Sequence, residues 1–452
     1  MYIDVLVAEI GSTTTLVNAF CGIGGGEPQF IGQGQAPTSV LEGDVRVGLN
    51  AAVEDMEKSL GESVEYGEMF ATSSAAGGLR MCVHGLVYDM TVKAAEAAAL
   101  GAGAIVKQAT AGRLTDFDVM DIEAIKPNLI LVAGGTDYGE RETALYNARR
   151  VLEMGLDVPV VYAGNVQNQN AVRTMYESAG KRIYIAENVY PKLDKLNIEP
   201  TRRVIHDVFE EHIVKAPGME HIRDMVTGSI MPTPGAVMQA AQLLYSDIGD
   251  LLVLDIGGAT TDAHSVSGGS DEIAQLLIAP EPFAKRTVEG DLGLYVNAGN
   301  LVDMIGRSAL KAELGVDVDE VMQSYLPIPV GAEQFKLTER LCLEAGKTAI
   351  SRHAGALRYI FGPSGRQTVA EGKDLTKIKY LVGTGGALTR LPGRAEIMQK
   401  LADMNGGGMM LFPKPGKLTL LYDNDYIMAS LGVLSKKYPE AALKLMRRSM
   451  GL

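Results

Sequence analysis

Apolar residues come in short runs along this chain, and most runs end at a glycine. "IDVLVAEIG" and "TTLVNAFCG" read as two strands around a tight turn at Gly11 and Ser12, with "PQFIGQGQA" as a third. "GDVRVGLNAAVEDMEKSLG" switches to the spacing of a helix with one buried face and stops at Gly61. "YGEMFATSSA" returns as a strand, so the opening is βββαβ. The rhythm then changes. "GLVYDMT" leads into the Ala-rich helix "VKAAEAAALGAG". After it, the strands "AIVKQATAG", "NLILVAGGTD", "VPVVYAGN" and "KRIYIAEN" alternate with helices through "TDFDVMDIEAI", "ERETALYNARRVLEMG" and "NQNAVRTMYESAG". Such alternation predicts a parallel, doubly wound sheet.

This α/β unit covers roughly residues 78–200, with Pro191 and Pro200 at its exit. From Thr201 the chain is helical and polar. Pro232 and Pro234 then stop a strand, and a helix with small residues begins at Gly235. "LVLDIGGATTDAHSV" starts a second half, which closes with the strand "YLVGTGGALTRL" and the late helix "YIMASLGVLSKKY". The expected organisation is a first lobe from 1–77 plus 201–245, an insertion at 78–200 and a second lobe at 246–452, whose C-terminal helix returns to the first.

Composition narrows the class. A chain of 452 residues is too long for one ordinary core. A net charge of −13 argues against a general nucleic-acid or membrane-surface binder. Cys21, Cys82 and Cys342 lie far apart and show neither disulfide nor metal spacing. "MYIDVLVAEIG" lacks the basic start of an export signal, and no apolar run approaches the roughly 20 residues of a membrane span, so a cytoplasmic location is expected.

Three segments share one design, an apolar strand followed by a Gly/Thr-rich turn: "VLVAEIGSTTT" (5–15), "LLVLDIGGATTD" (251–262) and "YLVGTGGALTR" (380–390). Glycines let backbone N–H groups converge on an anion, and hydroxyls add donors. A carboxylate at the strand end, Glu9 or Asp255, suits hydrated Mg²⁺. Two such turns facing each other would grip a polyphosphate, and a third Gly-Gly turn would let an adenosine lie against backbone. No GxxxxGK[ST] loop is present, and "GIGGGEP" (22–28) reads as a hairpin.

In order and wording these segments resemble the actin, sugar-kinase and heat-shock-chaperone ATPase superfamily. The resemblance implies a two-lobed actin-like fold of duplicated ribonuclease-H-like domains, here with an inserted doubly wound α/β domain. It implies ATP and Mg²⁺ as ligands, with Gly11, Ser12, Thr13 and Thr14 in the first phosphate loop. Gly257, Gly258, Thr260 and Thr261 fall in the second, Gly383, Gly385 and Gly386 in the adenosine motif, and Asp255 and Glu9 in metal-orienting or catalytic places. Glu9 departs from the aspartate usual there. "MPTPGAVMQAA" and "MASLGV" look like the connecting helices, with Ala429 and Gly432 as small contact positions. In "CLEAGKTAIS", Glu344, Lys347 and Ser351 share one helical face, like the adenosine-facing helix of the heat-shock ATPases; an intrahelical ion pair is the plainer reading. Glu289 and Asp291, in "TVEGDLGLYVNAG", support the phosphate site or are simply solvated.

"ATSSAAGGLRM", "LVAGGTDYGERETALYNA", "DIGGATTDAHSV" and "VEGDLGL" resemble more closely the MutL-type accessory proteins of adenosylcobalamin-dependent glutamate mutase. (The mismatch-repair proteins of the same name are unrelated.) That resemblance implies an ATP-dependent reactivating chaperone that helps release damaged cobalamin and binds mutase subunits; homo-oligomerisation stays open. The nearest approach to a cobalamin-ligating DxHxxG motif, Asp262 to Gly268, is one residue too long, so His264 reads as an ordinary strand residue. Two alternatives remain: a small-molecule kinase, with Asp137 as the best stand-in for its base, and a non-catalytic actin-like assembly protein. "VAGGTDYGE" (132–140) marks a ligand or contact site at the edge of the inserted sheet, or only an ordinary turn.

Overall fold

The computed structural model describes residues 1–11, 14–74, 79–212, 218–219, 221–362 and 365–452. The chain divides into two compact units, Met1–Ala240 with Ala429–Leu445 and Ala241–Met428 with Met446–Leu452.

The first unit opens with strands β1 (Tyr2–Ile10), β2 (Thr14–Cys21) and β3 (Gln29–Pro37), the helix Val45–Leu60, and β4 (Glu65–Ser73). β1 and β2 pair antiparallel, as do β2 and β3, while β1 and β4 run parallel. The apolar face of the helix (Val45, Leu49, Ala52, Met56) lies fully within the core. Gly34 is required beneath it, because a Cβ there would come within 2.1 Å of the Ala52 carbonyl oxygen.

The insertion supplies β5 (Arg80–Gly85), β6 (Ile105–Ala111), β7 (Leu129–Val132), β8 (Val160–Tyr162) and β9 (Ile183–Ile185). They form an all-parallel sheet of order β6-β5-β7-β8-β9. β5 is the run just before "GLVYDMT". Tyr88–Val92 make a π-helical turn, because the Thr91 hydroxyl accepts the Leu86 and Val87 amides and closes the chain on itself. The helix Ile198–His212 leads to β10 (Ile230–Pro232), which pairs parallel with β4. The next helix begins at Thr233, earlier than the prolines suggested; Pro234 sits in its first turn, where a missing N–H costs nothing. Pro200 occupies the same place in Ile198–His212 and does not end the preceding element.

The second unit repeats the first sheet. β11 (Leu251–Ile256), β12 (Thr261–Val266) and β13 (Ala284–Glu289) form an antiparallel meander, followed by a hairpin of β14 (Ala356–Gly362) and β15 (Gly365–Glu371). β16 (Tyr380–Thr384) and β17 (Thr419–Tyr422) add parallel strands. The order β13-β12-β11-β16-β17 matches β3-β2-β1-β4-β10, strand for strand and direction for direction. A three-stranded meander extended by two parallel crossovers is the ribonuclease-H-like topology, and its duplication is the architecture of the actin-like ATPases. No helix among the described residues is long and apolar enough to cross a membrane.

Candidate functional site

The turn between β11 and β12 is built so that its carbonyls and its amides separate. Gly257 N–H donates to the Thr260 carbonyl at 3.0 Å and closes the turn. The Gly257 carbonyl accepts from Leu294 N–H at 3.1 Å, and that of Gly258 from Tyr295 and Val296 at 2.8 and 2.9 Å. The Ala259 carbonyl accepts from Asn297 Nδ2 at 3.3 Å. Every carbonyl of the turn is thereby engaged. Among the described residues the N–H groups of Gly258, Ala259 and Thr260 have no protein partner. Gly258 and Ala259 are exposed. Three adjacent unsatisfied amides on one short turn are an anion-binding concavity.

The segment 290–297 fixes this turn from behind. Gly293 is obligatory there, since a Cβ would lie 2.3 Å from the carbonyl carbon and oxygen of Ala259. Thr261 is fully buried, and its hydroxyl donates to the Leu292 carbonyl at 2.9 Å; the structure places it as an anchor of the segment, facing inward. Thr260 Oγ1 donates to Asp262 Oδ2 at 2.9 Å, and the buried Asp262 receives Arg286 Nη2 at 2.7 Å. Arg352, from the helix Gly331–His353, clamps Glu289 at 2.5 Å and Asp291 at 2.8 Å. Burial pushes the Glu289 carboxyl up, with Arg352 opposing, whereas Arg352 pulls Asp291 down. Both carboxylates thus brace the segment through one guanidinium.

Asp255 is the penultimate residue of β11, level with Thr384 of β16. Gly385 takes φ +81° against it, and a Cβ at Gly385 would meet Asp255 Oδ1 at 2.5 Å and the Ile256 carbonyl at 2.6 Å. Gly386 opens onto free space, while Gly383 is packed within the strand against Leu388 and Met398. The expected strand "YLVGTGGALTRL" ends at Thr384, and Gly385 and Gly386 start the helix Gly385–Arg390; the structure thus brings Asp255, the Gly257–Thr260 turn and the start of that helix to one end of one sheet. Lys347 and Ser351 line a groove of about 510 Å³ with Gln399, Lys400, Asp403 and Met404, large enough for a nucleoside-sized ligand. Glu344 is held in an intrahelical pair with Arg340 at 3.0 Å.

The corresponding turn of the first unit has the same closure, Gly11 N–H to the Thr14 carbonyl at 3.0 Å. Ser12 and Thr13 lie outside the described residues. Glu9 Oε1 accepts the Ser430 amide at 3.0 Å, the Ser430 hydroxyl at 2.7 Å and Asn18 Nδ2 at 3.4 Å. The extra methylene of Glu thus spans from β1 to the helix Met428–Leu434. Gly432 of that helix lies against the helix Thr233–Ile248, where an added Cβ would sit 1.9 Å from the Ala236 carbonyl oxygen. Asp137, the kinase stand-in, is engaged by the Val166 amide and Asn188 Nδ2, both at 2.9 Å.

The donor set tests the fit of a magnesium ion. Among the described residues no group of three or more His, Cys, Asp or Glu side chains could cage a metal. Mg²⁺ on nucleotides does not need one, since a single carboxylate, waters and the phosphates suffice. Asp255 beside the open amides fits that pattern; Glu9 Oε1 already accepts three protein donors. Arg352, Arg286 and Gly293 were not among the residues expected from the motifs. Only the "VEGDLGL" string hinted at the bracing segment.

Duplicated sheets of this topology define an actin-like class of fold. Residues 5–450 match the family model described as "MutL protein". The chain is 37% identical over 427 residues to "Protein MutL" of Clostridium tetanomorphum, covering 91% of this chain and 92% of that one. The chain belongs to the MutL family, as its resemblance to the glutamate mutase accessory proteins anticipated. Fainter likenesses extend to nucleotide-free acetone carboxylase (14% identity, 96% of this chain and 70% of that one, TM-score 0.42). Another is nucleotide-free diol dehydratase-reactivating factor (11% identity, 96% and 100%, TM-score 0.37). Likeness at that level carries nothing about chemistry.

Proposed function

We propose that the protein is an ATP-binding and ATP-hydrolysing reactivating chaperone for an adenosylcobalamin-dependent mutase of the glutamate mutase kind, promoting release of damaged cobalamin. One observation carries the nucleotide half: three unsatisfied amides, Gly258 to Thr260, adjoin the Asp255 carboxylate. Membership of the MutL family supports the mutase half.

In this reading the amide N–H groups donate to terminal phosphate oxygens, charge-assisted contacts stronger than neutral hydrogen bonds. Asp255 holds Mg²⁺ through water or orients the attacking water, and the turn stabilises charge on the transferring phosphoryl group. Mg²⁺, when bound, neutralises charge on the phosphates. Lys347 and Ser351 contact the nucleoside. Moving a two-state equilibrium from 1:99 to 99:1 takes about 5.5 kcal/mol of differential binding, within reach of several charge-assisted contacts.

Calorimetry with ATP·Mg²⁺ and with ATP in EDTA tests the site, and a pulldown with purified mutase subunits, with and without ATP, tests the client. The expected results are magnesium-dependent ATP binding that Asp255→Asn abolishes, and nucleotide-dependent capture of the mutase. Hydrolysis by Asp255→Ala at the wild-type rate would remove Asp255 from its role.

A further inference from the structure

The inserted parallel sheet carries a feature that the nucleotide site does not use. Each of its five strands is followed at its C-terminal end by a segment bearing an exposed large apolar residue. Phe117 follows β6, Tyr88 follows β5, Tyr138 follows β7, Val166 follows β8 and Leu193 follows β9. In sheet order they make a row of five, and at about 4.8 Å per strand it runs on the order of 20 Å. Phe117, Tyr138 and Leu193 are 78%, 79% and 71% exposed. Apolar side chains this open are unremarkable singly; a row along one sheet edge marks an interaction surface.

The edge is also rigid. Asn165 accepts the Tyr138 amide and donates to the carbonyls of Gly139 and Glu140. Asn188 Nδ2 ties Gly135 to the last loop, and Asp137 N–H donates to the Pro191 carbonyl. Tyr138 itself is held at φ +64°, a backbone region disfavoured for an aromatic residue, with its ring in solvent. A fixed, outward aromatic is the usual form of an interface anchor. In the loops (residues 86–94, 112–118, 134–142, 164–169 and 186–195) carboxylates outnumber Lys and Arg by eight to five. That excess disfavours a second copy of this chain and polyanionic surfaces, and favours a protein face with an apolar centre and a Lys/Arg rim.

We infer that the C-terminal edge of the inserted sheet is the surface on which the protein docks its client, a folded protein with such a basic-rimmed apolar face. This rests on the reading above in taking that client to be the mutase. The test uses full-length protein and the purified cobalamin-binding subunit of glutamate mutase. Two variants, Tyr138→Gly, which suits the left-handed backbone, and Phe117→Ser, are compared with wild type by surface plasmon resonance. A photo-crosslinking residue is placed at 138, with a control at the exposed Tyr359 of the second unit. The expected result is at least tenfold weaker binding for each variant, unaltered ATP binding, and crosslinks to the mutase from 138 but not from 359. If wild type and both variants bind the mutase equally, or crosslinks come from 359 alone, the docking edge is wrong and the mutase reading stands. If wild type binds no mutase subunit, both fall. If the variants instead break up a self-association seen by sedimentation, the occupant is a second copy and the inference is overturned.

Discussion

Gly293→Ala is the sharpest test of the turn. The added methyl would sit 2.3 Å from Ala259 carbonyl atoms, where ordinary contact begins near 3.4 Å, so turn or bracing segment must yield by about 1 Å. Strain of this kind costs roughly 1–3 kcal/mol of stability. The effect on ligand binding is larger in proportion, because the carbonyl that moves belongs to the peptide whose neighbours supply the open amides. An N–H···O contact near 2.9 Å lengthened by about 1 Å is no longer a hydrogen bond. Losing one or two charge-assisted bonds at about 1.5–3 kcal/mol each weakens ATP by roughly 10- to 20,000-fold. Gly290→Ala is the matched control: it lies three residues away in the same segment, and nothing stands within 4 Å of its added methyl. Calorimetry with ATP·Mg²⁺ on both variants, with folding checked by far-ultraviolet circular dichroism, reads the difference. Equal ATP affinity in a folded Gly293→Ala protein and in wild type would refute the claim that this turn binds the phosphates.

Three further outcomes follow from single residues. Glu9→Gln weakens the carboxylate that accepts both donors of Ser430, so thermal unfolding should shift down by the equivalent of about 1.5–3 kcal/mol, while the magnesium dependence of ATP binding measured by titration stays as in wild type. Gly432→Ala drives a methyl onto the Ala236 carbonyl; a loss of more than about 2 kcal/mol in urea unfolding is expected, and a neutral result would show that the two helices can separate without cost. The third concerns acid. Burial lowers His84 to about 4 and His206 to about 3, against an ordinary value of 6.5. The unfolded chain therefore binds protons that the folded chain refuses, so stability falls as pH drops from 6.5 towards 4, by up to about 3 kcal/mol for His84. Urea unfolding across that range should show the slope, and His84→Gln should reduce it by His84's share while His206 and the other buried histidines keep the rest.

Much of the fold was legible because its signals are local. Alternating apolar runs ending in Gly specify strands and turns wherever they stand, and the repeated meander is visible in the likeness of "EIGSTTT" to "DIGGATTD". The residues at 255–260 were legible too, since a strand-end carboxylate and flanking glycines have a mechanism at fixed spacing. One reading yielded to finer local chemistry: proline proved compatible with a first helical turn.

What only the tertiary structure decided is which way each group faces and what it meets. Thr260 and Thr261 are neighbours of one type, yet one lies at the turn and the other anchors Leu292 from within, because side chains alternate across a strand. Glu9 and Asp255 hold equivalent places, yet Glu9 is committed to Ser430, 421 positions away. Gly293 looks like any loop glycine until the Ala259 backbone is packed against it. Sequence dictates short-range conformation through sterics and hydrogen-bonding capacity; partnership across hundreds of residues is set by packing, which no local pattern encodes.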